Sequence, residues 1–333
     1  MIIQSKGLIV LDYIRQYPDY PHRSLAKIIY NKYPDIFDSV DATRTLVRQY
    51  KGSLGPEHRK WTDKLYPELK GRRDGMTHMQ PIPPSKSNKW EFANYQYKKT
   101  LVLSDVHVPF HDVKGLEAAL AHGDKYKPDC ILLNGDILDC YALSRFIRDP
   151  RLRNFPDECQ ALSEFFAHLK ERFKKAQIVW KFGNHEERYE YLLFRKVPDI
   201  VNTNEWELEY RIPRFKEYNI EVIKNKRIIK LGKLPIIHGH EFMRSPMNPV
   251  NAARGLFLRG VHSAIISHFH HTSEHVQPNL LGKIITCWST GCLSGLHPEW
   301  ATINRWNHGF TTVDLDGYSF SVANYRIYEG KIL

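Results

Sequence analysis

From residue 99 onward, short apolar runs alternate with polar and helix-like stretches, a pattern typical of an α/β chain. Continuous apolar runs are expected for strands that are buried on both faces of a sheet. Such strands are predicted at residues 99–105, 130–136, 177–182, 234–240 and 263–271. Each of them ends in Asp or His, or is followed within two residues by Asn. Residues 282–290 and 309–331 are predicted to add further strands, with a turn at Asp316 and Gly317 in the second segment.

The first third of the chain has a helical pattern instead. Apolar residues recur at helical spacing in three short segments, residues 7–17, 24–33 and 39–51. Ser39 is a suitable N-cap for the third helix, and Gly52 is a suitable end. Residues 1–70 are therefore predicted to form a small all-α domain. Residues 71–98 are rich in Pro, Gly and polar residues and are predicted to be a linker to a domain of residues 99–333.

Positive charge is concentrated in the same N-terminal third. The chain has a net charge of +11, and residues 1–99 contain 18 Lys and Arg against 10 Asp and Glu. The third predicted helix places Arg44, Arg48 and Lys51 on one face, with Thr45 beside them. Three short helices with a basic last helix resemble a helix-turn-helix unit, so these four residues are predicted to contact nucleic acid, DNA above all. A helical bundle with a solvated basic face is the alternative interpretation.

Cysteine usage and hydropathy bear on the cellular compartment. The five cysteines are odd in number and show no CxxC spacing, which favours free thiols in a reducing cytoplasm. The N-terminus lacks the features of a secretory signal peptide, and no apolar run approaches the ~18 residues of a membrane helix. We therefore expect a cytoplasmic protein without a membrane partner. The sequence leaves the oligomeric state open, with a homodimer as one candidate.

The polar residues at the strand ends indicate one metal site. Polar side chains that are hydrogen-bonded inside the core would explain one or two of these polar strand ends. Convergence of the strand ends on one site explains all of them. Asp105 and His107 are two apart and would point the same way in an extended chain. Asp136 could bridge two ions, which together would clamp a phosphate and generate a bridging hydroxide. Nitrogen and oxygen ligands without a thiolate favour two divalent ions, Mn²⁺ first, with Fe, Zn, Ni or Co as alternatives.

The order of these motifs resembles that of the calcineurin-like metallophosphoesterases, whose pattern is DxH, GDxxD, GNH[DE], H and GHxH. The corresponding segments are DVH (105–107), GDILD (135–139), GNHE (183–186), HGH (238–240) and SHFH (267–270). The resemblance covers roughly residues 99–333. It implies a fold of two mixed β-sheets packed face to face with flanking helices. It also implies metal-dependent hydrolysis of phosphoric esters.

The resemblance also implies roles for individual residues. One metal ion would be held by Asp105, His107, Asp136 and His270. The second ion would be held by Asp136, Asn184, His238 and His268. His185 would protonate the leaving oxygen or steady the phosphate, and Asp139 would orient His185.

Two residues depart from the family pattern. Ser267 replaces the Gly of GHxH, which is tolerable unless that position needs a positive φ. Cys140 stands where phosphoprotein phosphatases carry an Arg, which argues against a Ser/Thr phosphatase.

Arg145 and His240 are candidate substrate contacts, although a surface ion pair and a supporting role are the simpler interpretations. Residues 186–233 are predicted to be a cap whose aromatic and basic residues either stack bases or form a small core of their own.

These features together predict a metal-dependent phosphodiesterase, a nuclease that the N-terminal helices deliver to DNA. One alternative is a phosphatase or phosphodiesterase for a small nucleotide or another small phosphoester. A second alternative is a DNA-binding regulator with a metal site that does not catalyse. The sequence does not distinguish cleavage within a strand from cleavage at its end.

Overall fold

The computed structural model describes residues 6–65, 87, 90–147, 149–201, 203–242 and 251–333. The chain divides into two compact units, residues 1–88 and residues 89–333.

The N-terminal unit is helical, as predicted. Its helices are α1 (Lys6–Gln16), α2 (His22–Lys32), α3 (Val40–Tyr50) and α4 (Pro56–Leu65). The hydroxyl of Ser39 accepts a hydrogen bond from the backbone N–H of Ala42 at 3.1 Å, which confirms the predicted N-cap of α3. Ile14, Leu25 and Val47 are fully buried between the first three helices.

The connection between α2 and α3 spans residues 33–39. A helix-turn-helix motif ordinarily has a turn of about three or four residues. This longer connection does not confirm the motif, which stays a prediction. Helix α4 was not predicted, because Pro56–Leu65 is almost entirely polar and carries no apolar face.

The larger unit contains two mixed β-sheets. The strands are β1 (Phe92–Tyr95), β2 (Lys99–Leu103), β3 (Cys130–Asn134), β4 (Gln177–Lys181), β5 (Ile220–Ile223), β6 (Ile228–Leu231), β7 (Leu234–Ile237), β8 (Ala264–Ile266), β9 (Thr272–Pro278), β10 (Ile284–Thr290), β11 (His308–Asp316), β12 (Ser319–Tyr328) and β13 (Lys331–Ile332). One sheet has the order β13-β12-β11-β2-β3-β4-β5, and the other has the order β1-β6-β7-β8-β10-β9. Strands β2 to β5 run parallel to one another, and so do β7 and β8.

The two sheets pack face to face, and helices cover their outer faces. The helices are α5 (Val113–Tyr126), α6 (Phe155–Arg172), α7 (Glu187–Lys196) and α8 (Ala252–Gly260). Leu132 of β3 points into the core between the sheets, whereas its neighbours Ile131 and Leu133 pack on the helix side. Both faces of this strand are therefore buried, which explains its continuous apolar sequence. The predicted fold class is confirmed.

The structure differs from the predicted domain boundaries in two places. Strand β1 lies inside residues 71–98, so the larger unit begins before the predicted end of the linker; residues 66–86 and 88–89 lie outside the described residues. Strands β5 and β6 lie inside the predicted cap, residues 186–233, yet they are members of the two sheets. Both strands are only four residues long, so their apolar alternation was too brief to separate them from loops.

The aromatic residues of the predicted cap divide into two kinds. Phe215 and Tyr218 pack against Phe166 of α6 and belong to the core. Trp206 and Tyr210 are exposed, and the side chains of Arg211 and Lys216 lie over their rings. The first pair therefore follows the small-core interpretation.

The cysteines are free and buried, as expected for thiols without a structural partner. None of the helices in the described residues is long and apolar enough to cross a bilayer.

Candidate metal centre

The predicted ligands lie on loops that follow five strands. Three of these strands, β2, β3 and β4, belong to the seven-stranded sheet, and two, β7 and β8, belong to the other sheet. Backbone pairing between the first two loops continues beyond the strands. The N–H of Asp105 donates to the carbonyl of Gly135 at 3.1 Å, and the N–H of His107 donates to that of Asp136 at 3.0 Å. The loops are therefore held at one edge where the two sheets meet.

Several of these residues have left-handed backbone conformations. The φ angle is +51° at Asp105, +54° at His107 and +52° at Asp136, and it is also positive at His268 and His270. The prediction that Asp105 and His107 lie on an extended chain is therefore wrong, since the chain turns sharply at both. Such conformations are costly for residues with a side chain and concentrate at functional sites.

Two glycines allow the loops to approach closely. A Cβ atom on Gly135, whose φ is +87°, would lie 2.4 Å from Nδ1 of His238. A Cβ atom on Gly183 would lie 2.2 Å from Oδ1 of Asp136. Any side chain at either position would therefore displace a predicted ligand.

The structure brings the predicted ligands together in groups whose candidate donor atoms lie within 4.8 Å of one another. The groups are Asp105 with His107 and His270, Asp136 with His238 and His268, and His107 with Asp139 and His185. The closest approaches are 3.1 Å from Asp105 Oδ1 to His270 Nε2 and 3.2 Å from Asp136 Oδ2 to His238 Nε2. The first two groups correspond to the two predicted ion sites.

Buried polar atoms that lack a hydrogen-bond partner indicate whether the site suits metal ions. Among the described residues, the buried Oδ1 of Asn184 has no hydrogen-bond partner, and the buried Asp105 Oδ1 and His238 Nε2 have only the close acid–imidazole contacts given above, which lack hydrogen-bond geometry. A buried polar atom without a partner costs roughly 1–3 kcal/mol. Carboxylate oxygen, amide oxygen and imidazole nitrogen are all ligands of divalent ions, so the set fits a metal centre.

The electrostatics of the site are those of closely packed acids and bases. Burial alone would raise the pKa of Asp136, but His185 and His238 outweigh it and hold that pKa well below the usual range. Burial alone would lower the pKa of His238, but Asp136 and Asp105 raise it to about 10. An ion that takes Nε2 of His238 must therefore displace a proton.

The sequence profile of the family described as "Calcineurin-like phosphoesterase" matches residues 98–285, more than half of the chain. The chain belongs to this family. The predicted resemblance is thereby confirmed. Together with the clustered ligands, it identifies the chain as a metal-dependent phosphoester hydrolase.

The chain is similar to proteins from a bacteriophage, a eukaryotic parasite and a bacterium. "Gene 54 protein" of Mycobacterium phage L5 is 26% identical over 234 residues, which cover 66% of this chain and 90% of that protein. Among solved structures, vacuolar protein sorting 29 from Cryptosporidium parvum is 16% identical; the match covers 72% of this chain and 96% of that chain, with a TM-score of 0.38. The phosphoesterase Yfce from E. coli is 14% identical, with coverages of 71% and 96% and a TM-score of 0.36.

The two predicted catalytic residues of this phosphoesterase lie beside the ligands. Nδ1 of His185 is 2.8 Å from the carbonyl oxygen of Asp139, and Nε2 of His185 is 2.8 Å from Nη2 of Arg188. The Asp139 carboxylate lies 2.9 Å from Nδ1 of His107 and 3.6 Å from Nδ1 of His185. Asp139 therefore orients His185 mainly through its carbonyl, and its carboxylate orients the predicted ligand His107.

Glu186 holds two loops of the site together, although no role was predicted for it from the sequence. Its buried carboxylate accepts hydrogen bonds from the backbone N–H groups of Asp136, Ile137, Leu138 and Gly183, at 2.7–3.1 Å. One side chain thus joins the loop after β3 to the loop after β4. The signal in the sequence was an acid directly after His185 in a turn between two apolar segments.

A buried ion pair connects the two sheets next to the site. Nζ of Lys181 lies 2.8 Å from Oε1 of Glu241, and the Glu241 carboxylate accepts from the backbone N–H of His238. Lys181 is 1% exposed in β4, so a charged residue inside an apolar strand was the signal for this contact. The pair positions the His238 loop against the end of β4.

Ser267, the departure from the family motif, has an ordinary backbone conformation, since φ is not positive there. Its hydroxyl accepts hydrogen bonds from Asn134 at 2.8 Å and from Thr290 at 3.0 Å. The substitution therefore costs no strain and adds a buried polar network between the sheets.

The two predicted substrate contacts, Arg145 and His240, make ordinary side-chain contacts. Arg145 is exposed and lies over the ring of Phe146. His240 lies next to the metal centre, with its Nε2 3.1 Å from Glu187, which fits a supporting role. Neither residue acquires a direct role from this geometry.

Proposed function

We propose that this phosphoesterase is a phosphodiesterase that cleaves nucleic acid, DNA in particular. The observation that carries the proposal is the basic helical unit that precedes the hydrolase unit in the same chain. Nucleic acid is the polyanion that such a surface attracts, and its backbone is a phosphodiester. When bound, two divalent ions would supply positive charge for the phosphate oxygens and activate water.

The basic residues of the N-terminal unit share one neighbourhood. The pKa of His22 is lowered by burial first and then by Lys51, Arg48 and Arg44. Lys51 donates hydrogen bonds to the carbonyls of Pro18 and Tyr20, at 2.7 and 2.8 Å, so it is partly committed to the unit itself. Arg48 is exposed and is the cation of this group best placed to reach a phosphate. Thr45 donates to the carbonyl of Asp41 at the surface of α3.

We expect the double substitution Arg44→Ala, Arg48→Ala to lower kcat/KM for DNA about 10-fold to 100-fold. Each lost phosphate contact should also reduce the slope of log affinity against log salt by about 1. Turnover of bis-p-nitrophenyl phosphate should stay unchanged, because the hydrolase unit is untouched. Cleavage and binding are measured with Mn²⁺ over a range of salt concentrations.

The matched control is Lys174→Ala, Lys175→Ala, which removes two exposed positive charges from the turn that follows α6. This control should leave DNA cleavage within about twofold of wild type, since it changes only the net charge. Equal salt slopes for wild type and the Arg44, Arg48 variant would refute delivery by this surface. A wild-type enzyme that turns over a mononucleotide ester far faster than DNA would favour the small-nucleotide alternative.

His185 is proposed to donate the proton to the leaving oxygen. Burial lowers the pKa of His185 to about 3, so the free enzyme holds a neutral imidazole. The negative charge of a bound phosphate must raise this pKa before His185 can act as an acid. Nε2 is the atom concerned, because Nδ1 donates to the Asp139 carbonyl. In the free enzyme Nε2 accepts from Arg188 at 2.8 Å, so Arg188 must move away from Nε2 before that atom can carry the proton.

For His185→Asn, we expect kcat on DNA to fall about 10²-fold to 10³-fold, because a sugar alkoxide leaves poorly without a proton. Turnover of bis-p-nitrophenyl phosphate should fall far less, since p-nitrophenolate leaves without protonation. The two substrates are compared in the same preparation of the variant. Losses of equal size on both would show that His185 positions the phosphate and does not donate a proton.

A further inference from the structure

A cleft of about 350 Å³ opens beside the candidate metal centre. His107, Asp139 and His270 line it on the side of the metal site. Phe110, Tyr141, Trp300 and Trp306 line its other walls. Its volume is that of a pocket for a small planar group.

The aromatic walls are held in fixed positions. The ring of Trp306 lies 4.1 Å from the ring of His270, between centroids, and Trp300 packs edge-on against Trp306 at 5.3 Å. Phe110 and Tyr141 also line the cleft, with 5.2 Å between their ring centroids. Trp300 is 52% exposed and Phe110 is 37% exposed, so both rings present surface to solvent at the cleft. Exposed aromatic rings in the wall of a cleft are suited to stacking a flat, apolar-faced group.

Unsatisfied polar atoms also line the cleft. Ser294 is 4% exposed, and its hydroxyl has no hydrogen-bond partner among the described residues. Nδ1 of His111 is likewise buried without a partner. Both residues line the cleft. A ligand edge with donors and acceptors would satisfy both atoms, which cost free energy while they are unpaired.

Charge decides which part of a substrate this cleft takes. Among the described residues that line it, none is Lys or Arg, whereas Asp139 and Glu299 are acidic. A phosphate is therefore disfavoured in the cleft and belongs at the metal ligands next to it. The group in the cleft is flat, uncharged and able to form hydrogen bonds at its edge. A nucleobase attached to the scissile phosphate has these properties.

We propose that the cleft binds the base of one unpaired nucleotide, stacked against Trp300 and Trp306, while its phosphate lies at the metal centre. The proposal rests on the proposed phosphodiesterase function and names its substrate class. A base inside a duplex has both faces covered by its neighbours, so it cannot enter the cleft without leaving the stack. The enzyme therefore cleaves single-stranded or locally unpaired nucleic acid in preference to continuous duplex.

Trp300→Ala is the test, because Trp300 packs on Trp306, whereas Trp306 itself packs on the predicted metal ligand His270. The substrates are the dinucleotide thymidylyl-thymidine and its analogue in which hydrogen replaces both bases, each with Mn²⁺. We expect Trp300→Ala to lower kcat/KM for the dinucleotide about 10-fold to 100-fold. The base-free analogue should be cleaved as slowly by the variant as by wild type.

Two controls accompany this comparison. Trp300→Phe keeps a stacking ring and should retain most of the activity on the dinucleotide. Trp90→Ala removes an exposed indole that does not line the cleft, and it should change neither substrate. Loss of activity on both substrates in Trp300→Ala, or on neither, would overturn the proposal while the phosphodiesterase function stands. If wild type hydrolyses bis-p-nitrophenyl phosphate but neither dinucleotide, the proposed function fails as well.

Two further substrates distinguish a base that belongs to a nucleic acid from a base that belongs to a small nucleotide. Wild type and Trp300→Ala are compared on a short single-stranded oligonucleotide and on thymidine 5′-p-nitrophenyl phosphate. A loss on both supports an unpaired nucleotide of a nucleic acid. A loss on the small ester alone would overturn the assignment to nucleic acid and give the cleft to small nucleotides.

Discussion

Replacing Asp136 by Asn is expected to lower turnover of every phosphodiester by at least about 10³-fold. Loss of one group that stabilises the transition state already costs about 10²–10³. Asp136 is 1% exposed and has two functions in the structure: its Oδ2 lies 3.2 Å from His238, and its Oδ1 accepts from the N–H of His185 at 2.9 Å. The amide keeps the volume but loses the negative charge and one acceptor oxygen.

The measurement is turnover of bis-p-nitrophenyl phosphate and of DNA, together with the metal content of the purified protein by mass spectrometry. The variant should bind less metal and keep the circular dichroism spectrum of wild type. The control is Asp316→Asn, at the exposed turn between β11 and β12, where Asn before Gly is equally acceptable. If the Asp136→Asn variant keeps activity within about tenfold of wild type, Asp136 is not a functional residue of the site. Such activity would also revive the view that the metal site does not catalyse.

Replacing Glu186 by Ala is expected to lower the free energy of unfolding of the larger unit by about 4 kcal/mol. Four backbone N–H groups would lose their common acceptor in a buried site, and each unsatisfied donor costs roughly 1–3 kcal/mol. Burial and the charge of Asp136 raise the pKa of Glu186 to about 7, while the N–H groups favour the ionised form. The variant should therefore be both less stable and inactive.

Chemical denaturation followed by circular dichroism measures this effect. The control is Glu164→Ala, on the exposed side of α6, which should change stability by less than about 0.5 kcal/mol. Glu186→Gln adds a sharper comparison, because the amide keeps the shape but turns an N–H group toward backbone N–H groups. If Glu186→Gln matches wild type in stability and activity, the carboxylate does not organise the two loops.

The strands that carry the metal ligands were predictable because of their burial. β2, β3 and β4 are covered on both faces, so their sequences are continuous apolar runs, and the polar residue types that follow them stand out. The residue types at these ends were enough to predict a dinuclear centre. Their backbone conformation was not predictable, because the positive φ values at Asp105 and His107 arise from contacts with the neighbouring loop.

Several contacts between distant segments were not predicted. Glu186 and the pair of Lys181 with Glu241 act by joining loops; the acid after His185 and the Lys inside an apolar strand were visible in the sequence, but neither identified its partner. The cleft beside the site is built by Phe110 and by residues near 300 that share no local pattern. Helix α4 was missed because its residues are mostly polar, and strand β1 was missed because four residues are too few for a periodic signal.

The ligands of the candidate centre come from both sheets: Asp105, His107, Asp136 and Asn184 from one, and His238, His268 and His270 from the other. Ions held by this set would join the two sheets at this edge, in addition to the side-chain packing between them. Separation of the sheets at this edge would then require the loss of metal ligands. Metal binding would thus stabilise the whole hydrolase unit, and the same ligands would serve both catalysis and stability.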